Sequence, residues 1–108
     1  MSSRDGRPDW NEIEQGLTPS TFANVYTYPS VDESGEIIAA NPYRKGFKIF
    51  NNSTQVLYVK YGSEASSSDF SIKLAAGAYF ENAMPVYLGS VHGVWAAVNG
   101  SAQITELT

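Results

Sequence analysis

The sequence has no cysteine, one histidine, few charged residues and no long apolar run. Without cysteine there can be no disulfides or thiolate metal sites, and a single histidine disfavours a transition-metal site. No apolar stretch approaches the ~20 residues that a transmembrane helix needs. Charged side chains make up 17% of the chain, the net charge is -4, and no Lys/Arg run occurs. We therefore expect neither a nucleic-acid partner nor a membrane partner.

Hydrophobic residues make up 43% of the 108 residues, and 13% are aromatic. β-Branched and aromatic residues recur with period two in residues 44–62, which is typical of β-strands. This stretch predicts two strands joined by a tight polar loop, Asn51-Asn52-Ser53-Thr54. Large apolar groups lie on both faces of the second strand, which favours a position inside a sandwich or barrel.

Further strands are predicted at residues 22–28, 36–40, 69–74, 79–81, 90–98 and 101–107, with a short apolar segment at 86–88. In residues 69–74, Phe70, Ile72 and Leu74 are expected on the buried face. Asn99-Gly100 predicts a two-residue type I′ hairpin turn that pairs Trp95 with Ile104 and makes Gly100 hard to replace. The fold predicted is an all-β antiparallel sandwich, jelly-roll-like, comprising residues 41–108.

Residues 1–40 are predicted to form an N-terminal arm, extended except for one short helix at about residues 9–15. Asp9 and Glu12 form a pattern like a capping box, and Gly16 can end the helix. A helix of two turns is too short to be stable alone, so its apolar stripe must pack on this domain's core or on a neighbouring subunit. The residues proposed to bind a partner through the arm are Trp10, Ile13, Leu17, Phe22, Tyr26 and Tyr28.

The residues that could support catalysis form no recognisable pattern. His92 is the only histidine, and no Gly-x-Ser-x-Gly motif accompanies it. Nothing selects an acidic pair from the candidates Glu64, Asp69, Glu81 and Glu106. Asp32, Glu33 and Glu36 lack the spacing of a calcium loop, so they predict a solvated turn. We expect no enzymatic activity, no catalytic residues, no metal and no cofactor.

Several tyrosines fall on predicted strands, and two interpretations are open for them. Tyr58, Tyr61, Tyr79 and Tyr87 could line a sugar-binding face. The alternative is that each tyrosine packs its ring in the protein and leaves its hydroxyl in water, which is the interpretation we favour.

Three segments carry a family resemblance over residues 41–108. They are NPYRKGFKIFNNSTQVLYVKYGS, then SIKLAAGAYFE, then PVYLGSVHGVWAAVNGSAQITEL. In this region the chain resembles a family of small structural proteins of tailed-phage particles. The resemblance implies a virion component and supplies no catalytic residues.

The role expected from the resemblance is that of a capsid decoration, or cement, protein. Such a protein binds the major capsid protein, bridges neighbouring capsid subunits and stabilises the phage head. We expect it to be made in the host cytoplasm and to lie on the capsid exterior, since an acidic chain suits the outside of the shell. By analogy it forms a homotrimer. The alternative is a tail or fibre component that binds a host-surface glycan.

Overall fold

The computed structural model describes residues 19–108, which form eight β-strands and, within that range, no helix. The strands are β1 (Ala23–Pro29), β2 (Gly35–Ile38), β3 (Gly46–Asn52), β4 (Leu57–Tyr61), β5 (Ile72–Leu74), β6 (Tyr79–Asn82), β7 (Val91–Trp95) and β8 (Ser101–Leu107). The helix predicted at about residues 9–15 lies outside the described residues.

The strands form two antiparallel sheets of four strands each. Sheet A has the order β1-β8-β3-β6, and sheet B has the order β2-β7-β4-β5. One apolar core draws on both sheets, so the arrangement is sandwich-like and the all-β antiparallel prediction is confirmed. The buried residues of this core are Ile37, Ile38, Phe47, Ile49, Leu57, Val59, Leu74, Val91, Trp95, Ala102 and Ile104.

The two strands predicted within residues 44–62 are present as β3 and β4. Their alternation sets the burial: Phe47 and Ile49 are buried, and so are Leu57 and Val59. β3 lies in sheet A and β4 in sheet B. The polar connection between them therefore crosses the sandwich and does not form a hairpin.

The predicted hairpin of β7 and β8 is wrong. β7 belongs to sheet B and β8 to sheet A, so Trp95 and Ile104 are not paired neighbours but buried residues of opposite sheets. Gly100 has a φ of 66°, and a Cβ there would clash with the carbonyl oxygen of Asn52. Glycine is needed at position 100 because the connection passes close to the end of β3, not because it closes a type I′ turn.

The boundary predicted at residue 40 does not separate an arm from the sandwich in the described residues. β1 pairs with β8 in sheet A, and β2 pairs with β7 in sheet B. Ile37 and Ile38 are only 2% and 1% exposed, since they contribute to the core. Residues 23–38 therefore belong to the sandwich, which corrects the extended-arm assignment for that part of the chain.

The segment from Asp69 to Leu74 is shorter as a strand than its alternation predicts. Only Ile72–Leu74 forms β5. Phe70 is 40% exposed, and its ring lies 5.3 Å from that of Tyr58. Phe70 therefore contacts a residue outside the core, contrary to the prediction that it shares the buried face. The apolar segment 86–88 forms no strand.

A buried arginine links the two sheets at one end of the sandwich. Arg44, two residues before β3, is 0% exposed and forms a 2.8 Å ion pair with Glu106 of β8. Its guanidinium also donates to the carbonyl oxygens of Ala39, Tyr87 and Gly89. These acceptors follow β2 and precede β7, so Arg44 joins sheet A to chain segments that flank strands of sheet B.

A buried asparagine links the two sheets at the other end of the sandwich. Asn51 of β3 is 0% exposed, and its amide nitrogen donates to the carbonyl oxygens of Gln55, Leu74 and Ala75. Its side-chain oxygen accepts from Trp95 Nε1 at 3.2 Å and from Ser53 Oγ at 2.8 Å. Asn51 thus links β3 to the loop that follows it and to strands β5 and β7 of sheet B.

Candidate interaction surfaces

The outer side of sheet A is a continuous surface four strands wide, called face A here. The strand registers place Val25 and Thr105 beside Lys48 and Glu81 in one row. They place Thr27, Gln103, Phe50 and Tyr79 in the next row. Because side chains alternate along a strand, these eight point away from the core.

Face A combines exposed apolar groups with little charge. Val25 is 59% exposed and Tyr79 is 63% exposed. The only charged members of the eight are Lys48 and Glu81, which are cross-strand partners. The ammonium of Lys48 lies 5.5 Å from the centroid of the Tyr79 ring. Aromatic groups and few charges are typical of the centre of a protein interface.

A shallow depression of about 160 Å³ lies at one end of face A. Its lining includes Gly46, Lys48, Glu81 and Leu107. The volume is smaller than the roughly 300–1,000 Å³ of a typical small-molecule pocket. Face A therefore fits a macromolecular contact better than an enclosed ligand.

The outer side of sheet B, called face B, is more charged. Glu36 and Lys60 flank His92 in cross-strand register, and Lys60 forms a 2.6 Å ion pair with Asp69. The Nδ1 atom of His92 is buried without a hydrogen-bond partner. Face B therefore presents fixed charges where face A presents apolar and hydroxyl groups.

A groove of about 460 Å³ lies beside face B. It is lined by Lys60, several serines and the acids Glu33, Glu64 and Asp69. A neighbouring depression includes Tyr58 and Asp32 in its lining. No group of three His, Cys, Asp or Glu side chains suited to a metal ion occurs in residues 19–108.

The acids considered for catalysis have different surroundings. Glu64 and Asp69 line the same groove. Glu81 lies on face A, and Glu106 is bound by Arg44 in the interior. The structure therefore brings two of the four together.

The candidates proposed to bind a partner through the arm have different positions. Trp10, Ile13 and Leu17 lie outside the described residues, and Phe22 is 64% exposed. The hydroxyl of Tyr26 donates to the carbonyl oxygen of Ile37 at 2.9 Å. The ring of Tyr28 is nearly parallel to that of Trp95, with centroids 6.5 Å apart. Tyr26 and Tyr28 thus pack on the core of this chain.

Burial raises the pKa of Tyr26 to about 12. The negative charges of Glu106 and Glu36 act in the same direction, while the positive charge of Arg44 opposes them. Tyr26 is therefore a neutral hydrogen-bond donor that joins β1 of sheet A to β2 of sheet B.

The four tyrosines considered for sugar binding do not share a surface. Tyr58 lies on face B and Tyr79 on face A. Tyr61 and Tyr87 are half-buried and stacked, with centroids 4.6 Å apart. Burial raises the pKa of Tyr61, and the hydrogen bond from Asn82 opposes that shift. A glycan could contact Tyr58 or Tyr79, but one glycan site cannot use all four.

No protein-family model, curated protein or solved structure matches this chain. Residues 19–108 contain no helix of the length and apolar character that crossing a membrane requires.

Proposed function

We propose that this chain is a non-enzymatic structural protein of a tailed-phage particle, a capsid decoration protein that binds the major capsid protein and bridges neighbouring capsid subunits. The observation that carries this proposal is face A, an open surface four strands wide whose exposed side chains include Val25 and Tyr79. The major capsid protein is the partner that the resemblance noted for residues 41–108 implies.

The strand order supports a jelly roll as the finer description of the fold. Sheet A takes strands 1, 8, 3 and 6, and sheet B takes strands 2, 7, 4 and 5. Successive strands mostly alternate between the sheets, with β4 and β5 as the one pair that stays in one sheet. Two four-stranded sheets connected in this way are the arrangement that two Greek keys produce.

The capsid exterior is the location that the charge favours. The chain has a net charge of -4, and the DNA-facing side of a shell favours basic surfaces. Many copies on a regular shell act together, so a weak contact through face A can still hold the protein firmly.

The test is binding of the purified full-length protein to undecorated phage heads, followed by sedimentation and electron microscopy. A Tyr79→Glu variant should bind at least tenfold more weakly, because it places a second carboxylate beside Glu81 at the interface. Tyr43→Glu is the matched control, since Tyr43 is 76% exposed and lies in the loop before β3. Failure of the wild-type protein to bind heads would overturn the proposal.

A glycan-binding tail or fibre component is the second candidate function. The observation that favours it is the Tyr58–Phe70 pair, whose rings are 5.3 Å apart, with Tyr58 at a depression beside the groove. Sugars pack on aromatic rings and bond to nearby polar groups. Host polysaccharide binding that Tyr58→Ala abolishes and Tyr79→Ala leaves intact would support this function over the capsid role.

A further inference from the structure

Three of the four sheet edges have features that discourage pairing with another strand. β2 has four residues and an irregular register between Glu36 and Ile38. β5 has three residues and carries Lys73, and β6 has four residues and carries Glu81. Short strands, charges and irregularities are the usual protection of exposed edges.

β1, the remaining edge strand, has none of this protection along most of its length. It has seven residues and pairs with β8 in unbroken register. No charged residue occurs from Pro19 to Val31. Pro29, at its last position, is the only residue of β1 without a backbone N–H. An edge of this length and composition is a template for another strand.

The backbone groups on the unpaired edge of β1 can be identified from the backbone hydrogen bonds just beyond its two ends. Ser30 N donates to Gly100 O at 3.1 Å, and Thr108 N donates to Phe22 O at 3.0 Å. Since bonding alternates along an antiparallel pair, even-numbered residues of β1 face β8. The N–H and C=O groups of Ala23, Val25 and Thr27 therefore point outward, where no described strand lies.

We propose that this edge pairs antiparallel with β1 of a second copy of the chain, about a two-fold axis at Val25. Val25 then faces Val25 of the second copy, and Ala23 faces Thr27. This register keeps the three outward-facing residues that carry an N–H within β1 of both copies, so each of those N–H groups finds a carbonyl. The two A sheets merge into one sheet of eight strands.

The side chains fit a second copy of this strand. Ala23, Val25 and Thr27 are small or β-branched, so they can lie opposite one another without crowding. No like charges meet, because β1 has no charge. An isologous contact of this kind closes after two subunits. The inference concerns the isolated chain and does not depend on a role in a virion.

Charge substitutions at Val25 test the two-fold register. Wild-type protein should sediment as a dimer of twice 11.8 kDa. Val25→Lys and Val25→Glu should each weaken dimerisation at least tenfold, because like charges then lie directly opposite. An equimolar mixture of the two variants should form a mixed dimer.

Val98→Lys is the matched control. Val98 is 61% exposed, close to the 59% of Val25, and lies outside β1, so this variant should dimerise like wild type. Circular dichroism checks that each variant is folded. In wild type, amide exchange at Val25 and Thr27 should slow as the protein concentration rises.

Three results would overturn the inference. The first is a wild-type monomer at all concentrations up to about 1 mM. The second is a trimer, since a three-fold ring requires two different surfaces at each contact. The third is a dimer that neither Val25→Lys nor Val25→Glu weakens. Head binding does not enter these measurements, so failure here is distinct from failure of the proposed capsid role.

Discussion

Arg44 and Asn51 are both fully buried polar residues, and they link the two ends of β3 to sheet B or to its flanking segments by chemically different contacts. Arg44 brings a charge into the interior and meets a carboxylate and several carbonyl groups. Asn51 is neutral and uses one amide as both donor and acceptor. Linking a sheet A strand to sheet B through a charge is therefore more sensitive to the loss of one partner, because an unpaired charge in the interior costs more free energy than an unpaired amide.

The largest expected effect on the free energy of unfolding is at the end of β3 where Arg44 lies. Arg44→Met leaves Glu106, whose side chain is only 13% exposed, without its cation, which should lower the free energy of unfolding by about 3–5 kcal/mol. Urea denaturation followed by Trp fluorescence measures this change. Adding Glu106→Leu should recover a large part of the loss, because no unpaired charge then remains. A loss below about 1 kcal/mol for the single variant would show that Arg44 is not needed to neutralise Glu106.

A smaller loss of unfolding free energy is expected at the end of β3 where Asn51 lies. Asn51→Leu leaves the indole N–H of Trp95 without its acceptor and removes the amide donor from three carbonyl oxygens, which should cost about 2–3 kcal/mol. Trp95→Phe in the same background should add less than it does in wild type, since the two losses share one hydrogen bond. A denaturant series on the four proteins gives this coupling. Equal costs for Asn51→Leu and Arg44→Met would remove the distinction between the two ends.

The sequence predicts the positions of the strands far better than their partners. Period-two alternation locates β3 and β4, and the segment Ser101–Leu107 matches β8. Alternation says which side of a strand is buried, but two sheets facing one core bury their strands in the same way. A short polar connection that crosses the sandwich therefore looks like a hairpin, as Asn99-Gly100 does.

The burial of Arg44 and Asn51 could not be predicted from the sequence, for a similar reason. Asn51 looks like a turn residue because asparagine is common in turns, yet it belongs to β3 and points inward. Arg44 precedes its strand, and no local pattern distinguishes a buried arginine from an exposed one. Only the topology brings Glu106, sixty-two residues further on, beside it.

High pH should lower the free energy of unfolding through the ionisation of Tyr26. Its folded-state pKa of about 12 lies above the ordinary value of 10.0, so the folded state holds this proton more tightly. The stabilisation is complete below pH 10 and is lost as the pH rises towards 12. After allowance for solvent screening at this half-buried group, the loss is about 1 kcal/mol.

The variant Tyr26→Phe is the control for that titration. Phenylalanine cannot ionise, so the difference in unfolding free energy between wild type and Tyr26→Phe should shrink between pH 10 and pH 12. Every other ionisable group is common to the two proteins, so its contribution cancels in the difference. A difference that stays constant over this range would show that the ionisation of Tyr26 is not linked to folding.

The smallest expected effect comes from an ammonium–carboxylate ion pair at the surface. Lys60 and Asp69 are 2.6 Å apart, as close as Arg44 and Glu106, but their side chains are 27% and 63% exposed. Water solvates both charges whether or not they meet, so Lys60→Met should change the unfolding free energy by less than about 0.5 kcal/mol. Asp69→Asn should have an equally small effect, and 0.5 M NaCl should reduce it further. Should Lys60→Met cost as much as Arg44→Met, burial would not be what separates the two pairs, and the interior position of Arg44 would lose its explanation.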